Sequence, residues 1–302
     1  MQTFYSHGKL LISAEYAVLD GALALALPAK FGQSLSVEST SENTILWKSI
    51  SNEGTVWFEA KFTIDAALKI STTDTSDIAV RLVQVLDALQ QLNPLLFETH
   101  KGYALTSTLE FPENWGLGSS STLINNLAKW AKVDAFELLA LTFGGSGFDI
   151  ACAQQETGVL YQLEKGKPTV KPVEFLPPFS DALFFVHRNQ KQNSRDGIQA
   201  YKTLTANQSL DFSALNGLTL DLLNCTDLKT FESLIEQHEG YISTLIQQPP
   251  LKEALFSDYE GAIKSLGAWG GDFFLATGNA AAIEYFKAKG YTTVVGYSEM
   301  IL

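Results

Sequence analysis

Asn114-Trp115-Gly116-Leu117-Gly118-Ser119-Ser120-Ser121 joins a stretch that alternates like a strand to one that repeats like a helix. Upstream, Tyr103, Leu105, Ser107, Leu109 and Phe111 alternate with mostly polar neighbours until Pro112. Downstream, TLINNLAKWAK carries helical spacing. The glycines permit positive φ and a close backbone approach, and successive N–H groups at a helix start attract an anion. A phosphate can sit there without surrounding lysines, and the serine hydroxyls can reach a Mg²⁺ bridging two phosphates. A plain tight turn reads equally well. A Walker loop would need a lysine that is missing, and a dinucleotide-binding GxGxxG would need glycine where Ser121 stands. Glu137 lies in a predicted helix instead of at a strand end, which further weakens the dinucleotide reading.

The rest of the chain narrows the ligand class. It has 302 residues, 46% hydrophobic and 18% charged, which is globular usage of a length for about two domains. The net charge of −12 repels polyanions and argues against a nucleic-acid groove. A small anionic substrate must then be held by local N–H groups and a few placed cations. Cys152 and Cys225 are far apart and read as buried free thiols of a reducing compartment. The histidines His7, His100, His187 and His238 show no zinc spacing. No secretory signal is evident, and the longest apolar-looking stretch, Ala22 to Pro28, is far short of the ~20 residues that span a bilayer. We expect a cytoplasmic protein without membrane or nucleic-acid partners; a homodimer is compatible with the sequence.

Residues 1 to about 60 read as β-hairpins: ALALAL at 22–27, GQSLSVES after it, and Thr44–Lys48 with Thr55–Ala60 around Asn52-Glu53-Gly54. Trp47 and Trp57 there suit cross-strand packing better than base stacking. Ile78, Leu82, Val85, Leu86, Leu89 and Leu92 form one helical stripe that ends at Asn93-Pro94. A second helix starts at the N-cap Asp134, and a strand follows at Val159–Leu163. KGKPTVKP and Pro177-Pro178 place a boundary near 170–180. Beyond it we expect a strand at Ala182–His187, helices over 195–265, a strand at Asp272–Ala276, a helix capped near Asn279 and a last strand at Tyr291–Gly296. The fold class is α+β.

Three further clusters could carry chemistry. In Gly144-Gly145-Ser146-Gly147-Phe148-Asp149-Ile150-Ala151 the aspartate is a candidate general base or a cation partner, or simply caps a turn. Lys264-Ser265-Leu266-Gly267-Ala268-Trp269-Gly270-Gly271-Asp272 reads as a helix running through a glycine turn into a strand. Ser6-His7-Gly8-Lys9 with Ala14-Glu15-Tyr16 offers one cation and one carboxylate, although a surface lysine is the usual case.

In order and spacing, GKLLISAEYAVLDG, PENWGLGSSS, GSGFDIA and KSLGAWGGD together resemble the motifs of the GHMP kinase family, the galactokinase, homoserine kinase, mevalonate kinase and phosphomevalonate kinase group. The resemblance implies an N-terminal domain like ribosomal protein S5 domain 2 over residues 1–175 and a C-terminal ferredoxin-like domain over 176–302, with ATP and substrate in the cleft between. It implies an ATP-dependent phosphotransferase using Mg²⁺. Asn114, Gly116, Leu117, Gly118, Ser119, Ser120 and Ser121 would form the phosphate loop, with Ser120 the Mg²⁺ contact. Lys9 and Asp149 would be catalytic, Lys9 lying near Asp149 and the acceptor. Glu15, Tyr16, Ser146, Gly147, Gly267, Ala268, Gly270 and Gly271 would face substrate.

Glu15-Tyr16, the GFDIA phrase and the GGD at 270–272 resemble the phosphomevalonate kinase branch most, which implies a role in isoprenoid precursor synthesis by the mevalonate pathway. Mevalonate kinase or another GHMP kinase is the first alternative, and an inactive nucleotide-binding regulator on the same fold is the second. A phosphate acceptor is already anionic at pH 7, its second pKa being about 6, so it needs charge neutralisation more than a base. Lys191 and Arg195 are candidate cations for that phosphate; a solvated loop is the alternative. Asp149 would then orient Lys9 and a metal, whereas for an alcohol acceptor it would take the hydroxyl proton. The chain departs from the family at His7, at Ser121 and at Trp269, a large indole expected beside the phosphates. The family's acidic Mg²⁺ ligand falls on Leu138, one position past Glu137.

Overall fold

The computed structural model describes residues 1–97, 102–190, 194–269 and 271–302, with the side chains of Ser194 and Arg195 outside the description. In chain order the first elements are β1 (Gln2–Leu11), β2 (Ala24–Thr40), β3 (Thr44–Ile50), β4 (Val56–Ile64), β5 (Ile70–Ser71), α1 (Asp77–Leu92) and β6 (Gly102–Leu109). There follow α2 (Ser119–Ala131), α3 (Ala135–Thr142), α4 (Phe148–Ala153), β7 (Gly158–Glu164), β8 (Lys167–Val173) and β9 (Leu183–His187). The chain continues with α5 (Ser194–Thr205), α6 (Ser213–Asn224), α7 (Leu228–Ile246), α8 (Leu251–Leu255), β10 (Ile263–Ser265), β11 (Phe273–Thr277), α9 (Ala280–Ala288), β12 (Val294–Gly296) and α10 (Tyr297–Met300). The class is α+β, as expected. No described helix is long and apolar enough to cross a membrane.

Two compact units emerge. The first comprises Met1–Gly8, Phe31–Glu113 and Gly118–Gln154. Its strands run β5-β4-β3-β6-β2, antiparallel except for the parallel pair β3 and β6, and β1 also pairs with β2. Leu35, Ile45, Trp47, Phe62 and Leu105 pack against Leu82, Leu86 and Leu89 of α1 and Ile124 and Leu127 of α2. The helical stripe of α1 is realised except at Ile78, which is 42% exposed. Ser76 caps α1 by accepting from Ala79 N–H, and Asp134 caps α3 through Phe136 and Glu137 N–H. Trp47 is a core residue and Trp57 is exposed.

The second unit comprises Lys9–Lys30, Asn114–Leu117 and Gln155–Leu302. Here the start of β2 pairs with β7 and β7 with β8, and a separate antiparallel sheet runs β10-β11-β9-β12. Phe184, Val186, Phe256, Phe274 and Phe286 form its aromatic core.

Four expectations need correction. ALALAL and GQSLSVES are not two arms of a hairpin but one strand, β2. The proline-rich KGKPTVKP is a turn at Lys165-Gly166 followed by the edge strand β8, where a residue without an N–H is tolerated. Residues 263–265 are a strand and not a helix end. Cys152 is buried, but Cys225 is only half-buried.

The α1 stripe predicts that Leu86→Ala costs about 2–5 kcal/mol of unfolding free energy, because Leu86 is fully buried. Ile78→Ala, on the exposed side, changes it by about 0.5 kcal/mol or less. Urea titration of both variants checks the contrast.

Candidate functional site

In the first unit the α2 N-terminus is built to present its backbone. Gly118, the N-cap, adopts φ 84°, a left-handed conformation that glycine takes without strain, and no side chain caps the helix. The first helical bond is from Thr122 N–H to Gly118 O, at 3.0 Å. The N–H groups of Ser119, Ser120 and Ser121 therefore have no acceptor within the helix. Ser120 is exposed, Ser119 half-buried and Ser121 buried.

Behind this turn lies a network of neutral polar side chains that sequence reading did not single out. The Thr122 hydroxyl donates to Gln33 Oε1, and Gln33 Nε2 donates to Ser107 Oγ at 2.7 Å. Asn126 Nδ2 donates to Gln33 O at 2.8 Å and accepts at Oδ1 from Ser6 Oγ at 2.7 Å. Asn125 Nδ2 reaches Ser6 Oγ at 2.8 Å and Ala153 O at 3.2 Å, tying α2 to the end of α4. Asn125 and Asn126 are buried polar residues on a helix face otherwise made of Ile124, Leu127 and Ala128, which was the available signal. At the other end of α4, Gly147 (φ 88°) is the N-cap, and Asp149 sits half-buried in the first turn. Ser146 and Gly147 are buried. Leu138 belongs to the core, and Glu137 is exposed on α3.

In the second unit, Lys9 N–H donates to Leu117 O at 3.0 Å and Lys9 Nζ to Gly116 O at 3.4 Å. Gly116 has φ 64°, and a Cβ there would lie 1.9 Å from Asp272 Oδ2, so the aspartate packs directly on the glycine. His187 Nε2 donates to Asn114 O at 2.9 Å while its Nδ1 accepts from Asn189 N–H, which fixes the tautomer. Trp115 meets Phe273 edge-on at 5.3 Å. His187 and Asp272 are thus supporting residues of the 114–117 turn.

The glycine-rich segment after β10 carries Gly267 at φ 57°, a half-buried Ala268 and a buried Gly271. Trp269 is buried, donating its indole N–H to Pro249 O at 3.3 Å, so the ring packs into its own unit instead of standing open to a ligand. Tyr16 is buried and stacked on Tyr201 at 5.8 Å. Glu15 is completely buried on Lys264, not open to an acceptor. Lys191, Gly270 and the side chain of Arg195 lie outside the described residues.

A Mg²⁺ is held mostly through one or two carboxylates, water and substrate phosphates. The exposed Ser120 hydroxyl on an uncapped helix start fits such an ion as one ligand. No group of three His, Cys, Asp or Glu among the described residues is placed to hold a metal by itself.

No protein-family model matches the chain, and no curated protein matches it by sequence. Solved structures do. A mevalonate kinase superposes with a TM-score of 0.70 at 13% identity over 97% of both chains. A phosphomevalonate kinase from Streptococcus pneumoniae, solved with phosphomevalonate and AMPPNP, gives 0.69 at 17% identity over 98% of this chain and 100% of that one. A galactokinase from Lactococcus lactis, complexed with galactose, gives 0.71 at 14% identity over 100% and 93%. The sequence-level resemblance is therefore matched in three dimensions: the chain has the fold of the GHMP kinases.

Proposed function

We propose that this protein is an ATP-dependent small-molecule kinase whose acceptor is phosphomevalonate. The observation that carries the kinase reading is the α2 start: a left-handed glycine cap, three N–H groups without helical acceptors and an exposed Ser120 hydroxyl, in the sequence position of the GHMP phosphate loop. The acceptor reading is supported by the wording of the Glu15-Tyr16 and Asp149 segments and by the shared fold of a phosphomevalonate kinase solved with that substrate.

In this reading the triphosphate takes its hydrogen bonds from the main chain, which explains how an anion binds a molecule of net charge −12. Lys9 supplies a positive charge that stabilises charge developing on the transferred phosphoryl group. A Mg²⁺, with Ser120 among its ligands, would neutralise phosphate oxygens. Asp149 holds cations in place when the acceptor is a phosphate, and takes the hydroxyl proton when it is an alcohol.

ADP release measured with phosphomevalonate, mevalonate, diphosphomevalonate, homoserine and galactose tests the proposal. Turnover with phosphomevalonate alone is expected; turnover confined to an acceptor outside the isoprenoid series refutes the acceptor. ATP-dependent thermal stabilisation without turnover on any of them identifies an inactive binder.

Two variants test the roles. Asp149→Ala is expected to slow turnover about 10²- to 10⁴-fold with ATP affinity nearly kept. Thr122→Val removes a hydroxyl and leaves Gln33 Oε1 buried without its donor, which costs about 1–3 kcal/mol of stability. Because the lost bond lies directly behind the phosphate loop, ATP binding by calorimetry weakens as well.

A further inference from the structure

In the second unit four ionisable side chains from three segments meet out of water: Glu15 from the turn after β1, His238 and Glu239 from α7, and Lys264 from β10. Lys264 Nζ donates to Glu15 Oε1, to Glu239 Oε1 at 3.1 Å and to Ser265 O at 2.7 Å. One ammonium therefore faces two carboxyl groups.

The hydrogen bonds distinguish the two acids. Glu239 accepts at both oxygens, from Lys264 at Oε1 and from Ser265 Oγ at Oε2, at 2.7 Å. Glu15 accepts at Oε1 only; its Oε2 has no hydrogen-bond partner and lies 3.7 Å from His238 Nε2. That nitrogen already accepts from Ala14 N–H at 3.0 Å, so it carries no proton and the imidazole is neutral. With its one lone pair taken by Ala14 N–H, His238 Nε2 offers Glu15 Oε2 neither a donor nor a compensating charge, and an ionised carboxylate would keep that oxygen buried and unpaired. Among the described residues the charges acting on Glu15 are Lys264 and Glu239; burial and Glu15 raise the Tyr16 phenol, which stays neutral, and the Trp269 ring lies 6.0 Å from Lys264 Nζ.

We infer that Glu15 is a neutral carboxylic acid, protonated at Oε2, in a charge-balanced cluster of Glu15, Lys264 and Glu239 that holds the 13–16 turn to α7 and β10. The inference goes beyond the kinase reading and does not depend on it. Glu239 and His238 are positioning residues of that turn, whose Ala14 and Tyr16 both adopt positive φ, at 63° and 59°. Burial pushes the Glu15 carboxyl up to about 7, with Lys264 pulling against it, and burial also raises Glu239. Burial and Lys264 hold His238 well below its ordinary range.

The sign of the pH effect follows. Folded protein keeps the proton where unfolded chain has lost it, so stability from this group is complete below the unfolded pKa and falls as pH rises toward 7. Above that the proton goes to solvent and the cluster keeps an unbalanced negative charge. Glu15→Gln puts a permanent N–H donor at the same place and leaves Lys264 paired with Glu239.

The test compares wild type with Glu15→Gln by urea unfolding and infrared spectroscopy from about pH 5 to 8.5. Relative to the variant, the wild-type unfolding constant is expected to rise at least about tenfold across that range. Wild type should also show a carboxylic-acid carbonyl band that titrates in the same window and is missing in Glu15→Gln. Parallel stability profiles, or no such band in wild type, overturn the inference; the band is read on wild type alone, so a variant that fails to fold does not shield it. Glu239→Gln provides a second check: with only one acid left against Lys264, Glu15 ionises and the band disappears there too, whereas its persistence overturns the charge count. None of these readouts involves nucleotide or acceptor.

Discussion

The first turn of α2 is held in place by Gln33. Its side chain links the Thr122 hydroxyl to Ser107, and its carbonyl receives Asn126. The first turn of α2 is thereby fixed by the protein's own side chains, and dipoles preorganised in this way cost no reorganisation when charge appears. The supporting groups are all neutral. They are satisfied by one another and by the main chain without placing a charge in the interior, where an unpaired one would be costly.

Much of this architecture was legible, and the failures have physical causes. The stripe of α1, the Asp134 cap of α3 and the strand leading toward the 114–121 segment all follow from local periodicity and capping; the Ser76 cap of α1 was not read from the sequence. The continuity of β2 does not, because Pro28 and Gly32 look like punctuation. Gly32 is there for another reason: a Cβ would lie 2.3 Å from Tyr5 Oη and 2.5 Å from Ser6 O, so the glycine marks close approach of a neighbouring strand. β10 is three residues long, too short for alternation to show. At the candidate site, the glycines and serines announced themselves and Asn126 stood out only as a polar residue on an apolar face, whereas Gln33 and Ser107 belong to types scattered over every surface.

The buried acid cluster was partly visible as well. Phe231, Ile235, His238, Glu239, Ile242 and Ile246 share the buried face of α7, so two polar residues occupy positions at which the helical period demands apolar ones. That pattern says a partner exists; it does not say which. Lys264 is the partner of Glu239 and Ala14 N–H that of His238, both from other segments that only tertiary structure brings there.

The two units thus solve one problem in two ways. The network of the first unit uses amides and hydroxyls, which satisfy one another at any pH, so the α2 turn it supports keeps its geometry through protonation changes nearby. The cluster of the second unit uses charges, which grip more strongly in a low dielectric but balance only when one proton stays on two acids. Replacing Glu239 by an amide would have balanced Lys264 against Glu15 without any proton, at the cost of exchanging the charge-assisted bond from Ser265 Oγ for a neutral one. By keeping both acids the chain ties the hold on its 13–16 turn to pH, whereas the start of α2, supported by neutral groups, is exempt from that dependence.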